Sequence, residues 1–349
     1  MISNNINRDL SEREREILQR IVHLYILNGN PIGSRFLSKI IQDEMKLSPA
    51  TLRNIMADLE DMHFITHPHT SAGRIPTDLG YRFYVDNLTK LEHLNKNELE
   101  RIHNNLLNAP QELAFQHASK LLGALSQYLS IIELPSFRAY KILKIEIVQL
   151  SSNKILVVLE LESDFLKTVT LEINFEMESS ELMDITRIIN EKVSGKPVSF
   201  IRDNFQEIFN ESELRETPLI RLFTDSVDKI FEDPQTNQRL MIAGTRNLLN
   251  YPEFEDMNRI RTIIELVESE EIIVHVLDKI EDKSNNENMN IFIGSELDYD
   301  MLDDYSLIRS SFKIGSASGS IGIIGPKRMN YSKMISLVKI FSEVLSEKK

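Results

Sequence analysis

Three serines near the start of the chain constrain its fold more than any other feature, because each stands directly before an apolar pattern of helical period: Ser11, Ser34 and Ser48. Glu14 follows the first serine by three residues and completes a capping box. These signals predict helices over 11–28, 35–43 and 49–62. Residues 63–66 then predict a strand, and residues 67–76 form a loop rich in Pro, Gly and Ser. Three short helices followed by a strand and a loop are typical of a winged helix-turn-helix.

The formal net charge of −13 is unevenly distributed along the 349 residues. The first 90 residues contain 11 Lys and Arg and 11 Asp and Glu, so they carry no net charge. We call residues 1–90 the head, and residues 91–349, which carry the whole acidic excess, the body. A neutral head on an acidic body fits a head that binds an anion while the body is repelled by it. Ordinary variation between domains gives the same pattern, and both interpretations stay open.

The chain has no Cys, which excludes disulfides, thiol nucleophiles and Cys-based zinc sites. This composition also suits a reducing compartment. The beginning of the chain has no apolar run typical of a signal peptide, and no stretch of about 18 consecutive apolar residues occurs anywhere. We therefore expect a cytoplasmic protein that does not bind a membrane.

The body alternates between helical and strand periodicity. Helical patterns cover 98–108, 112–133, 179–194, 259–268 and a final segment from Ser332. Strand patterns lie within 145–175 and over 291–295, 306–314 and 319–325. Residues 196–258 are helical but interrupted by four prolines. Strands on both sides of a helical stretch favour one α+β domain that carries a helical insertion.

These patterns divide the chain into five parts. We expect a winged helix-turn-helix at 1–76, a linker at 77–97, the first part of an α+β domain at 98–195, an inserted and mainly helical domain at 196–258, and the second part of the α+β domain at 259–349. The Gly- and Ser-rich residues 315–320 lie between two predicted strands and lack the Gly-Lys-Ser/Thr ending of a P-loop. They predict a hairpin turn rather than a phosphate-binding loop.

The third predicted helix has two distinct faces. Its apolar residues lie on one side of a helical wheel: Leu52, Ile55, Met56 and Leu59. The opposite side has two small residues and two that can read base edges: Ala50, Arg53, Asn54 and Ala57. Arg pairs with guanine and Asn with adenine, while Ala permits close approach. The backbone N–H groups after Ser48 can bind a phosphate. An ordinary exposed helix face is the alternative interpretation.

The loop from His67 to Arg74 offers a second DNA-binding element. Its hydroxyls, imidazoles and Arg74 lie on a tight turn that contains glycine, and such a wing can follow the phosphates or enter the minor groove. His67 and His69 also have the spacing of a metal-ligand pair. No Asp, Glu or Cys lies near them in the sequence, so we expect no metal site.

Residues 11–88 resemble the N-terminal region of the bacterial heat-inducible transcription repressor HrcA. The resemblance rests on the run PATLRNIMADLED followed by PHTSAGRIPTDLGYRFYVD. It implies a dimeric repressor that binds an inverted-repeat operator of the CIRCE type ahead of chaperone genes and is released on heat stress. It also implies a winged-helix head, a GAF-like α+β domain, a dimerisation domain inserted into it, and a chaperonin of the GroEL type that keeps the repressor active.

We therefore expect a DNA-binding protein with double-stranded DNA, a second copy of itself and a GroEL-type chaperonin as partners. The expected DNA contacts are Ser34, Ser48, Ala50, Thr51, Arg53, Asn54, Ala57, His67, His69, Thr70, Ser71 and Arg74. No pattern of catalytic residues appears in the sequence, and we expect neither an enzyme nor a cofactor or metal. The alternative function is a ligand-gated regulator that senses a small molecule through the GAF-like domain.

Overall fold

The structure is a computed structural model, and it describes residues 10–68, 73–88, 90–109, 111–175, 177–211, 216–232, 239–252, 256–270, 272–274, 276–277 and 289–347. Helices and strands form a mixed α+β protein, as expected. In the part described, no helix is both long enough and apolar enough to cross a membrane.

Four helices and a short hairpin open the head. They are α1 (Glu12–Asn28), α2 (Ser34–Ile40), α3 (Gln42–Met45), α4 (Pro49–Asp61), β1 (Ile65–Thr66) and β2 (Ile75–Pro76). The predicted capping box of α1 is confirmed, because Ser11 and Glu14 each bind the other's backbone N–H. Gly29 ends this helix in the left-handed conformation with φ of 69°.

The second predicted helix is only partly correct. Ser34 lies inside α2 instead of capping it, and Gly33 is the N-cap residue with extended backbone angles. The prediction of one helix over 35–43 is wrong at Ile41, where φ of −96° and ψ of 9° separate α2 from α3. Ile41 is only 1% exposed, so the chain turns at a residue that is anchored in the core of the head.

The apolar stripe predicted on the third helix is confirmed. Leu52, Ile55, Met56 and Leu59 of α4 are all buried. They join a core formed by buried residues of α1 and α2: Ile17, Leu18, Ile21, Val22 and Leu37. Burial of side chains of this size stabilises a fold by about 1.5–3 kcal/mol each relative to exposure. The core therefore fixes which face of α4 points outward.

A fifth helix, α5 (Asp78–Asp86), occupies the stretch expected to be a linker. Thr77 caps it, because the Thr77 hydroxyl accepts a hydrogen bond from Gly80 N. Phe83 packs edge-on against Phe64 at 5.8 Å between ring centroids. Residues 77–86 are therefore a packed part of the head.

A five-stranded antiparallel sheet forms the centre of the body. Its strands run in the order β7 (Leu240–Ala243), β3 (Leu129–Glu133), β10 (Ala317–Pro326), β9 (Tyr305–Ile314) and β8 (Met289–Ile293). Three helices lie on one side: α6 (Lys96–Leu107), α7 (Gln111–Ser126) and α14 (Tyr331–Glu347). Pairs such as Phe115–Phe312 and Ser310–Ser342 join the last two helices to the sheet. Gly315 and Ser316 form the turn between β9 and β10, so the predicted hairpin is confirmed.

The prediction of a helix over 112–133 is wrong in its last third, after Ser126. Gln127 has a positive φ of 62°, which ends α7, and the next residues form β3. All five residues of β3 are buried, because this strand lies inside the sheet. A strand buried on both faces shows no alternation, so its apolar run cannot be distinguished from a helical one by period.

A separate three-stranded antiparallel sheet lies between β3 and β7 in the sequence. Its order is β4 (Ile142–Ser151), β5 (Lys154–Leu161) and β6 (Leu166–Glu172), which confirms the three predicted strands. Among the described residues, the helices that follow it are α8 (Ser179–Val193), α9 (Val198–Ile208), α10 (Pro218–Asp225) and α11 (Val227–Phe231). We call β4–β6 and α8–α11 the three-stranded unit.

Strand pairing departs from the expected division of the body. The strand β7 lies within the expected helical insertion at 196–258, yet it pairs with β3 in the five-stranded sheet. The strands β4–β6 lie within 98–195, yet they pair only with one another among the described strands. Alternating residues identify a strand but not its partner, so the sequence alone could not assign these strands to two sheets. After β7 come α12 (Thr245–Leu248) and α13 (Met257–Glu268).

Candidate nucleic-acid interface

The outward face of α4 consists of the four residues expected there. Ala50, Arg53, Asn54 and Ala57 are all exposed, and the apolar residues that alternate with them are buried. Arg53 makes no salt bridge with any residue that the structure describes. Two small residues thus flank two long polar ones on a surface where a second molecule can approach closely.

The first turn of α4 is closed by its own hydroxyls. The Ser48 hydroxyl accepts a hydrogen bond from Thr51 N at 3.1 Å and lies 3.0 Å from the Thr51 hydroxyl. Pro49 follows as the first helical residue and has no N–H. The N–H of Ala50 therefore has no acceptor within the helix and is not bound by the Ser48 cap. A phosphate placed here would meet that N–H and the positive end of the helix dipole.

Four exposed cations lie on or next to the helices that flank this face. They are Arg35 and Lys39 of α2, Lys46 before α4, and Arg53 itself. None of them forms a salt bridge within the described ranges. The sequence prediction did not include the first three, although a helix that packs across α4 would bring such side chains to the same surface. Ser34, which was predicted, is half-buried at the first residue of α2.

Arg74 lies at the base of the hairpin and is already paired. Its Nη2 atom lies 2.7 Å from Oε2 of Glu60, the next-to-last residue of α4. Both side chains are about three-quarters buried, at 26% and 22% exposure. Its backbone exchanges hydrogen bonds with Ile32 at 2.8 and 2.9 Å. Gly73 fits this contact because a Cβ atom there would lie 2.6 Å from the Ile32 carbonyl carbon. The guanidinium therefore holds the hairpin to α4 and does not extend from its tip.

Glu60 is a further site residue that the sequence did not reveal. Its second carboxylate oxygen contacts Nδ1 of His67, so one side chain joins both ends of the hairpin to α4. Burial alone would raise the pKa of Glu60, but the hydrogen bond from His67 and the charge of Arg74 outweigh it and lower the pKa below 4.5. The only signal in the sequence is that Glu60 stands one turn after Ala57 on the helix.

The structure corrects the sequence argument about the surroundings of His67. An acidic residue does lie against His67, contrary to the sequence argument, which considered only near neighbours in the chain. Even so, the described residues contain no group of three His, Asp or Glu that could hold a metal ion. His69, Thr70 and Ser71 lie outside the described residues.

Comparisons with known proteins agree on one family. The family model for the HrcA protein C-terminal domain matches residues 112–335. A heat-inducible transcription repressor HrcA from Chlorobium phaeobacteroides is 34% identical over 97% of this chain and 98% of its own length. The protein of that name from Geobacter sulfurreducens is 35% identical, with the same coverage. A crystal structure described only as a hypothetical protein superposes with a TM-score of 0.62 and 25% identity over 98% of this chain and all of that one.

Proposed function

The chain belongs to the HrcA family of heat-inducible transcription repressors, and we propose that it represses heat-shock genes by binding operator DNA through a winged helix-turn-helix in its head. The observation that carries this proposal is the exposed face of α4, whose four outward residues are small or able to read bases. In this arrangement α4 lies in the major groove, where Arg53 pairs with guanine and Asn54 with adenine.

Contacts to the DNA backbone supply affinity without sequence preference. We propose that a phosphate binds at the first turn of α4, next to Ser48, Ala50 and Thr51, and that Ser34, Arg35 and Lys39 contact the strand that α2 crosses. Each neutralised phosphate releases counterions, so operator binding weakens steeply as salt rises. The acidic body supports this assignment, because it is repelled by the same phosphates.

The hairpin is the proposed second contact, with His67, His69, Thr70 and Ser71 near the DNA. We assign Arg74 a different role from the one expected from the sequence. Direct contact with DNA would require Arg74 to leave Glu60, whose carboxylate would then lose a partner in a largely buried position. Arg74 therefore acts by holding the hairpin at a fixed angle to α4.

An inverted-repeat operator requires two heads related by two-fold symmetry. The sequence expectation places dimerisation within 196–258. We propose instead that the second copy binds at the earlier part of the three-stranded unit, where β4 and α8 have large apolar residues between 46% and 67% exposed: Leu143, Val148, Leu150 and Met183. A groove of about 550 Å³ lies between β4 and α8. Its rim has both Lys144 with Glu146 and Arg187 with Glu191, so the same surface can meet itself with opposite charges.

Light scattering measures the dimer directly. Leu150→Asp with Met183→Asp should convert the dimer to monomers, because each buries a charge in the interface. Leu107→Asp changes an exposed leucine of α6, outside both the unit and residues 196–258, and should leave the mass unchanged. If the double variant stays dimeric, the interface lies at another surface of the protein.

Release on heating follows from the marginal stability of folded proteins. One or two kcal/mol changes the folded population several-fold, so a modest rise in temperature removes active dimer. A chaperonin of the GroEL type would return the protein to its active form in the cytoplasm. If adding chaperonin to a partly inactive sample restores no operator binding, this part of the proposal is wrong.

Footprinting on DNA from the chain's own upstream region, at low and high temperature, tests the function as a whole. We expect two protected half-sites that disappear on heating. No protection by the parent protein at any temperature would overturn the proposal. The alternative of a small-molecule sensor has no observation in its favour among the residues described, and we do not propose it.

A further inference from the structure

The helix α5 belongs to two cores at once. On the side of the head, a Cβ atom at Gly80 would lie 2.2 Å from the Phe64 carbonyl oxygen, so the helix is in direct backbone contact with the residue just before β1. The Thr77 hydroxyl also donates to the His63 carbonyl at 2.6 Å. These contacts join α5 to the turn between α4 and the hairpin.

On the side of the body, Arg82 is the principal anchor. Its guanidinium binds both carboxylate oxygens of Glu296, and Nη2 also donates to the Ile291 carbonyl at 2.6 Å. The Arg82 side chain is only 16% exposed. A planar guanidinium held by two oxygens of one carboxylate fixes direction as well as distance.

Asp78, one turn earlier, is the second anchor. It accepts hydrogen bonds from Ser295 N at 3.1 Å and from the Ser295 hydroxyl at 3.2 Å, and Lys327 Nζ lies 2.6 Å away. The turn approaches so closely that a Cβ atom at Gly294 would lie 2.3 Å from the carboxylate. Two anchors on successive turns prevent α5 from rotating about its own axis or pivoting on one contact.

A third contact joins the end of α1 to the body. Arg328 donates from Nη1 to the Ile26 carbonyl at 3.2 Å, and its guanidinium covers Gly29 at the end of α1. A side chain at Gly29 would meet this guanidinium at 3.1 Å. The head is thus held at both α1 and α5.

The fixed geometry continues from the five-stranded sheet to the three-stranded unit. The β9–β10 turn binds Glu162, which follows β5, because Glu162 accepts from Ser316 N at 2.7 Å and from the Ser316 hydroxyl at 3.2 Å. A continuous series of contacts therefore runs from α4 through α5 and the five-stranded sheet to the three-stranded unit, where we place the second copy.

We propose that Asp78 and Arg82 are positioning residues that fix the angle of each head on its body and thereby determine which spacing between operator half-sites one dimer can bind. This inference rests on the proposed function, since it needs a dimer on an inverted repeat. Each added base pair rotates a half-site by about 34° around the duplex. Heads that cannot swivel therefore accept few spacings, and heads released from their bodies accept many.

The test uses the full-length protein and a series of duplexes in which the spacer between half-sites varies, together with a duplex that has one half-site. For the parent protein, moving the half-sites by half a helical turn should cost about 100-fold in affinity, because only one head can then bind. For the same half-turn shift, the affinity of Arg82→Ala should fall less than about tenfold, because its heads can reorient.

Two controls separate positioning from folding. Arg82→Ala should bind the single half-site like the parent, which a damaged head could not do. Glu296→Gln keeps a hydrogen-bond acceptor for Arg82, so it should broaden the range of accepted spacings less than Arg82→Ala does. Lys96→Ala, which removes the cation of an exposed helix pair in the body, should leave the spacing profile unchanged.

The outcomes distinguish this inference from the function on which it rests. If the parent shows a spacing optimum and Arg82→Ala and Glu296→Gln both keep the same narrow profile, the positioning role is overturned. If the parent binds one half-site as well as the inverted repeat at every spacing, the dimeric repressor itself is the part that fails.

Discussion

Arg53 and Arg74 stand at opposite ends of the proposed DNA-binding surface, and they differ in what already binds them. Arg53 is exposed and has no salt bridge in the part described, whereas Arg74 is largely buried against Glu60. Both were chosen from the sequence for the same reason, as cations in a DNA-binding motif. The difference shows that a cation is available to a ligand only when the fold has not already satisfied it.

The largest effect should come from a negative charge on the open face of α4. Ala57→Glu places a carboxylate where the groove is proposed to lie, and like charges at an interface cost several kcal/mol. We expect operator binding to become undetectable in a fluorescence anisotropy titration. The thermal unfolding midpoint should stay within about 2 °C, because Ala57 is exposed and glutamate is a good helix former. Unchanged binding would mean that α4 does not enter the groove.

Removing the free cation should weaken binding without affecting the fold. Arg53→Ala should cost about 1–3 kcal/mol in operator binding and relax the preference for one base pair. Its unfolding free energy in urea should match that of the parent. The matched control is Lys96→Ala, an exposed cation in the body. If Arg53→Ala binds all operators as the parent does, Arg53 does not read bases.

Removing the paired cation should give the opposite signature. Arg74→Ala and Glu60→Ala should each lower the unfolding free energy by about 1 kcal/mol, a value reduced for the partial exposure of both groups. A double-mutant cycle should show a coupling of about 0.5–1 kcal/mol. Operator binding should fall similarly for all sequences, since the hairpin loses its orientation. A loss of base preference in Arg74→Ala would instead assign Arg74 to direct reading.

The smallest effect should appear in the acid range. Because the folded-state pKa of Glu60 lies below its ordinary value, the ionised carboxylate stabilises the fold above pH 4.5, and this contribution disappears as the pH falls through the folded-state pKa. Glu60→Gln should therefore show a shallower loss of stability below pH 5 than the parent, measured by urea unfolding at several pH values. Parallel pH profiles would show that the pair contributes nothing to the fold.

Local rules in the sequence account for much of the head. Caps at Ser11 and Ser48 and the spacing of apolar residues predict α1 and α4 to within a residue, and they determine which face of α4 is exposed. These features depend only on neighbours within a few positions. The role of Glu60 could not be found this way, because His67 and Arg74 reach it only after the hairpin folds back onto the helix.

The body was predicted less completely for a related reason. The alternation of β4–β6 predicts strands correctly, whereas the apolar run of β3, which is buried on both faces, predicts a helix. The choice of sheet for each strand depends on pairings between distant residues, such as Ile131 with Ile242. No local pattern encodes that choice. The contacts of Asp78 and Arg82 with the 294–296 turn, more than 200 residues away, belong to the same class.

The position of α5 within two cores has a consequence for how the protein melts. Phe83 is buried against Phe64, and Tyr81 of the same helix packs on Tyr331, whose ring is completely buried in the body. Unfolding of either core removes residues that pack against the other, so the two unfolding transitions are thermodynamically coupled. The acidic body and the neutral head should therefore unfold together. A calorimetric scan should record one cooperative transition for the two.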